Sequence, residues 1–98
     1  MVLRIFTVQL GPGQQAVVEP LEDEAAVHYR AAKGCRSITF FMDVEKGEYG
    51  AVSVWDSEMD IRGFVESGVL APLIAQVKPL LKGPPVERIY TVYEPRTA

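Results

Sequence analysis

GPGQQAVVEPLEDEAAVHYRAAKGC, residues 11 to 35, lies between two strand-like runs, and its reading decides the fold. It opens on Gly11-Pro12-Gly13, which breaks regular structure. Val18, Leu21, Ala25 and Ala32 then recur at helical spacings, and Gly34 closes the segment as a C′ glycine does. The pattern predicts an amphipathic helix over roughly 13–33. Pro20 sits inside it, so either the helix kinks there or its regular part begins near Glu19. With a late start, Glu22, Asp23 and Glu24 would lie near the positive helix end. Upstream, Val2 to Leu10 alternates, with Arg4, Phe6 and Val8 on one face and Leu3 and Ile5 on the other, as a strand does.

Downstream, Arg36 to Val44 and Tyr49 to Trp55 are rich in β-branched and aromatic residues, and Glu45 to Glu48 between them reads as a tight turn. The pair predicts a hairpin. Ser57, with Asp60 three residues on, forms a capping signal for a second helix through Ile61, Phe64 and Val65. Gly68 interrupts that helix, and Val69 to Leu81 continues as a further helical stretch ending at Gly83-Pro84-Pro85. Val86 to Tyr93 is the last predicted strand, and the tail EPRTA is expected to fray. The order is βαββαβ, an α+β arrangement of an antiparallel sheet with helices on one face, which resembles the ferredoxin-like fold.

Composition narrows the function classes. The 98 residues, 48% of them hydrophobic, suit one domain over 1–98 with no room for a second core. A formal net charge of -3, with Arg and Lys scattered, leaves no basic footprint for nucleic acid or an anionic membrane. The single Cys35 cannot form an intramolecular disulfide, and VLRIFTVQL lacks the features of a secretory leader, so cytoplasm is the expected location. No metal spacing is present, since one His and one Cys seven residues apart do not make a zinc site. The glycines lack both the P-loop lysine and the dinucleotide-binding spacing, so no cofactor is expected.

The strands carry apolar residues on both faces. Ile38, Phe40, Met42 and Val44 share one face of the second strand while Phe41 lies on the other, and Leu3 and Ile5 oppose Phe6 and Val8. A sheet with one wet face should alternate more cleanly. The chain holds no further layer for the second face, which predicts that a second copy covers it in a two-fold homodimer.

With these elements in place, the layout resembles the antibiotic biosynthesis monooxygenase type of domain within the dimeric α/β-barrel superfamily. The matching residues are Pro12-Gly13 after the first strand, Gly34-Cys35 before the second, and W-x-S-E at Trp55 to Glu58. Phe64 and Ser67, LLKGPP at Leu80 to Pro85 and the closing RIYTVYEP complete a match over nearly the whole chain. The resemblance implies a pocket between helices and sheet and a barrel built from the opposed sheets of two subunits. It also implies a range of activities, from cofactor-independent oxidation of polyketide-derived phenols to haem degradation and action on quinones or autoinducers. Haem-degrading relatives place an Asn in strand one, a Trp early in helix two and a His nineteen residues after the strand-three Trp. Those positions here are Phe6, Phe64 and Ile74, none of which can ligate iron or donate a hydrogen bond toward bound oxygen. Haem is excluded as substrate.

Two residues stand out for the remaining chemistry. His28, the only histidine, falls near the inward stripe of the first helix. It can act as a general base on a phenol or enol, or be a core His satisfied by a carbonyl or carboxylate. Arg4, on the face of Phe6 and Val8 in a central strand, must be paired with a ligand anion or with a protein carboxylate such as Glu94. Phe6, Tyr29, Trp55 and Phe64 can stack on a flat aromatic substrate or simply fill the core. Glu22-Asp23-Glu24 reads as a solvated helix face, and Cys35 as a buried small residue. The sequence thus points to a homodimeric monooxygenase-like enzyme acting on a small aromatic or polyketide-like molecule, with His28 and Arg4 catalytic. Its rival is a non-catalytic ligand-binding or dimerisation module of the same fold.

Overall fold

The turn at Gly11 to Gly13 works because both glycines adopt positive φ, 77° and 88°, which an L side chain rarely tolerates. It joins β1 (Val2–Gln9) to α1 (Gln15–Ala31), after which come β2 (Cys35–Asp43), β3 (Glu48–Trp55), α2 (Glu58–Glu66), α3 (Ala71–Val77), a 3-10 turn at Lys78–Leu80 and β4 (Val86–Thr91). This is a computed structural model describing residues 1–96; Thr97 and Ala98, at the end of the tail expected to fray, lie outside the described residues. The four strands pair antiparallel in the order β2-β3-β1-β4.

One open alternative is decided and one strand boundary is corrected. The first helix begins at Gln15 and runs through Pro20, so of the two readings the late start near Glu19 falls. The glycine turn ends at Gln14, whose carbonyl accepts from the N–H groups of Val17 and Val18, so the helix is nucleated before the proline and continues past it. Glu22, Asp23 and Glu24 consequently lie in mid-helix, and the first turn of α1 carries no acidic residue. The last strand ends at Thr91 rather than Tyr93, although Val92 N–H still donates to the Met1 carbonyl. Other signals behave as read: Ser57 caps α2, its hydroxyl accepting from Asp60 N–H at 3.2 Å and donating to the Asp60 carboxylate at 3.0 Å. Gly68, at φ 75°, separates α2 from α3.

Register fixes which side chains face the helices. Arg4 lies opposite Ser53 on one side and Ile89 on the other, and Phe6 lies opposite Ala51 and Glu87. Since side chains alternate along a strand, Arg4, Phe6 and Val8 share a face with Tyr49, Ala51, Ser53, Trp55, Ile38, Phe40 and Met42. Two clusters form on that face. Tyr29, Trp55, Ile61 and Phe64 make one, and Leu10, Val18 and Tyr49 the other. Leu3, Ile5, Val52, Val54, Phe41 and Tyr90 lie on the opposite face. There Gly50 makes room for a neighbour, because a Cβ on it would overlap the ring of Phe41 from the adjacent strand.

Candidate functional site

Between the sheet and the helices lies a cavity of about 120 Å³ that draws its lining from both clusters. Strand residues Arg4, Phe6, Val8, Phe40 and Tyr49 form one wall. Helix α1 supplies Val18, Leu21, Glu22, Ala25 and Tyr29, and α3 closes the end with Leu73, Ile74 and Val77. The surface is almost wholly apolar. Four of the lining residues, Arg4, Tyr29, Tyr49 and Glu22, carry polar side chains, and the Tyr49 hydroxyl oxygen is buried away from the cavity surface.

Arg4 is 5% exposed, so its charge needs partners inside the protein. Its Nε donates to Glu87 Oε2 at 2.6 Å and its Nη1 to Tyr29 Oη at 3.0 Å, while the guanidinium stacks over the Phe6 ring at 5.0 Å. The carboxylate is therefore Glu87 rather than Glu94. Strand β4 ends before Glu94, whereas the register places Glu87 diagonally from Arg4 on the same face. Burial pushes the Tyr29 phenol up from its ordinary pKa, and the Arg4 charge and hydrogen bond only partly offset this. Tyr29 thus keeps its proton at neutral pH. Its oxygen accepts from Arg4, and its own O–H remains a donor.

The acid at the cavity wall is Glu22. Burial pushes its carboxyl up to about 7, and the neighbouring charges of Glu19 and Asp23 on the same helix act in the same direction. A carboxyl with that value exchanges a proton near neutral pH. Tyr49 is 2% exposed, and its hydroxyl has no hydrogen-bond partner among the described residues. These two were missed in the sequence. Glu22 follows Val18 by one helical turn and precedes Ala26 by another, both buried, and that 3.6-residue spacing was the available signal.

The residues singled out from the sequence divide between two places. Arg4, Phe6 and Tyr29 line the cavity. Trp55 and Phe64 stand behind it, their rings 6.2 and 4.8 Å from that of Tyr29 and 5.3 Å from each other. Trp55 is fully buried, with Nε1 donating to Ser53 Oγ at 2.8 Å. His28 lines a separate hollow of about 470 Å³ between α1 and α2, together with Lys33, Asp60 and Phe64. Arg4 and His28 do not line the same space. Cys35 is half-buried, and burial pushes its thiol pKa up, away from the thiolate a nucleophile needs.

No family model and no curated protein matches the chain. Solved structures do. A protein of Deinococcus radiodurans assigned to the antibiotic biosynthesis monooxygenases superposes with a TM-score of 0.83 at 18% identity, covering 100% of this chain and 98% of that one. The fold is that of the antibiotic biosynthesis monooxygenase domain. SnoaB, a cofactor-independent oxygenase from Streptomyces nogalater, matches this monooxygenase-type fold with a TM-score of 0.79 at 14% identity over 99% of this chain and 97% of its own. A Mycobacterium tuberculosis protein gives 0.80 at 22% identity, covering 98% of both chains. No helix among the described residues is long and apolar enough to cross a membrane.

Proposed function

We propose that the chain is a cofactor-independent, monooxygenase-like enzyme that oxidises a small aromatic or polyketide-like phenol in the cavity between helices and sheet, working as a single-domain, cytoplasmic homodimer. The observation that carries this reading is the cavity itself, an apolar pocket in which a carboxyl poised near neutral pH shares the lining with a buried arginine and a protonated tyrosine. A phenol bound there loses its proton to Glu22, and the Arg4–Tyr29 pair stabilises the phenolate. The phenolate passes one electron to dioxygen. Carbon-centred radical and superoxide then join as a peroxide, and loss of water leaves a quinone. Both reducing electrons come from the substrate, one oxygen atom stays in the product and the other leaves as water. Phe6 and Phe40 supply flat apolar wall, and Trp55 and Phe64 hold Tyr29 in place. The fold shared with SnoaB supports the oxygenase class.

Glu22 takes the part of base because it lines the cavity, whereas His28 lines the other hollow. Oxygen uptake by the purified, metal-free protein against dihydroxyphenols, anthrones and quinols tests the assignment. Uptake should fall at least about a hundredfold in Glu22→Gln, the scale of general-base catalysis, and stay within about twofold in His28→Ala. Loss of uptake in His28→Ala alone would return the base to His28. One observation favours the rival reading of a ligand-binding module: Arg4 already has two protein partners, as a purely structural arginine would. A complete absence of uptake with undiminished ligand binding would establish that rival.

A further inference from the structure

Helix α3 forms one wall of the cavity, yet only apolar contacts hold it there. Leu73 is its one buried residue, while Leu70 packs on the first cluster and Val77, Leu80 and Leu81 on the second. Among the described residues, no hydrogen bond or salt bridge joins residues 70–81 to α1 or to the sheet. Gln76 turns back on its own helix, donating to the Pro72 carbonyl at 3.5 Å. Apolar contacts are non-directional, so this segment can shift over its neighbours without leaving a polar group unpaired.

Both ends of the segment are built to turn. Upstream, Gly68 holds φ 75° between α2 and α3, and a Cβ on it would meet nothing within 4 Å, so no packing fixes its backbone. Downstream, α3 gives way to the 3-10 turn at Lys78–Leu80, a kind of transition that often marks a hinge. Beyond that turn the chain is anchored, since Lys82 N–H donates to the Gln9 carbonyl at 2.7 Å. Of the residues that line the cavity only Ile74 of α3 is exposed, at 40%, which puts the open side of the cavity at this helix. A molecule seated there gives Ile74 an apolar surface to cover, so filling the cavity favours inward movement of α3.

From the missing polar ties, the two hinges and the open side, we propose that α3 is a lid, swinging about Gly68 and Lys78 to admit an apolar ring compound and closing over it through Leu73 and Ile74. The lid serves the cavity proposed above as the binding site and rests on that reading, though not on the oxidation. Closed, it shields the bound molecule from water.

Spin labels at Glu24→Cys and Ala75→Cys, in a Cys35→Ser background, read the distance between α1 and α3 by double electron–electron resonance. The pair Glu24→Cys and Arg62→Cys gives the same reading for α1 and α2 as a control. The three labelled positions are exposed, and dilution into unlabelled protein leaves only distances within one chain. Without ligand, the α1–α3 distribution should be about twice as wide as the control, and bound 2-naphthol should narrow it and shift it to shorter distance. Calorimetric titration establishes that 2-naphthol is bound, and a thermal melt that each variant is folded. Gly68→Asn, which tolerates positive φ but samples fewer backbone states, should narrow the distribution without ligand. A ligand-free α1–α3 distribution as narrow as the control would overturn the lid. So would a wide one that Gly68→Asn and bound 2-naphthol leave unchanged. Closure on 2-naphthol without oxygen uptake from any phenol would keep the lid and remove the oxidation, and uptake with a static α3 would do the reverse.

Discussion

At the residue scale, the ionisable groups of the cavity make separable predictions. Glu22 has a folded pKa of about 7, above the ordinary carboxyl value of 4.5. The folded state therefore holds its proton more tightly than the unfolded chain. The associated stability is fully present below about pH 4.5 and is lost as pH rises through about 7. In urea titrations, Glu22→Gln should match wild type near pH 4 and exceed it near pH 8; equal differences at both would mean that Glu22 is solvated. Uptake needs the ionised carboxylate, so its rate should rise with pH through about 7. Glu87→Ala leaves the Arg4 guanidinium without its charge partner. Because the Glu87 side chain is 44% exposed, water can compensate in part, and the loss should be about 2 kcal/mol by denaturant titration. That Arg4 needs a partner was legible from sequence, since a charge on the inner face of a central strand cannot stay unpaired. The identity of the partner was not, because it depends on strand register. Glu22 was hidden by its neighbours, Asp23 and Glu24, which are exposed and made the run look uniformly solvated.

At the element scale, helix boundaries followed local chemistry. Ser57 and Asp60 announced α2 because capping needs only two side chains and one turn of backbone. Ser57→Ala should cost about 1 kcal/mol, read from the denaturation midpoint. Which of the two readings held for α1 at Pro20 was not legible, since the proline's local preference is outweighed by the burial of Val18, Ala26 and Tyr29 along one continuous stripe. Pro20 is exposed, so Pro20→Ala restores an N–H toward the Ala16 carbonyl with little packing lost. It should stabilise the protein by roughly 1 to 3 kcal/mol; a loss of stability would show that the proline rigidifies the unfolded chain more than it harms the helix. Gly47 has the opposite sensitivity. Its φ is 73° and a Cβ there would meet the Gly11 backbone, so Gly47→Ala strains the hairpin turn and separates two segments that are bonded through Leu10 N–H and the Gly47 carbonyl at 2.8 Å.

At the scale of the whole molecule, the order of elements along the chain was legible from periodicity and turn residues, whereas the strand order β2-β3-β1-β4 came only from the pairing. The cavity was not legible either, because its volume depends on how Phe6, Tyr29 and Tyr49 pack across elements far apart in sequence. The proposed homodimer places Leu3, Ile5, Val52 and Val54 against a second copy. Sedimentation equilibrium should then show a dimer for wild type and a monomer for Ile5→Lys; a monomeric wild type would overturn that assembly. The buried stack of Tyr29, Trp55 and Phe64 has an optical consequence. Trp55 is the only indole in the chain, and its full burial predicts blue-shifted emission from a single emitter. Tyr29 touches the cavity on one side and lies 6.2 Å from Trp55 on the other. Any molecule that displaces Tyr29 is therefore one ring away from the fluorophore, and the protein carries its own unlabelled sensor of occupancy, readable in real time by stopped flow.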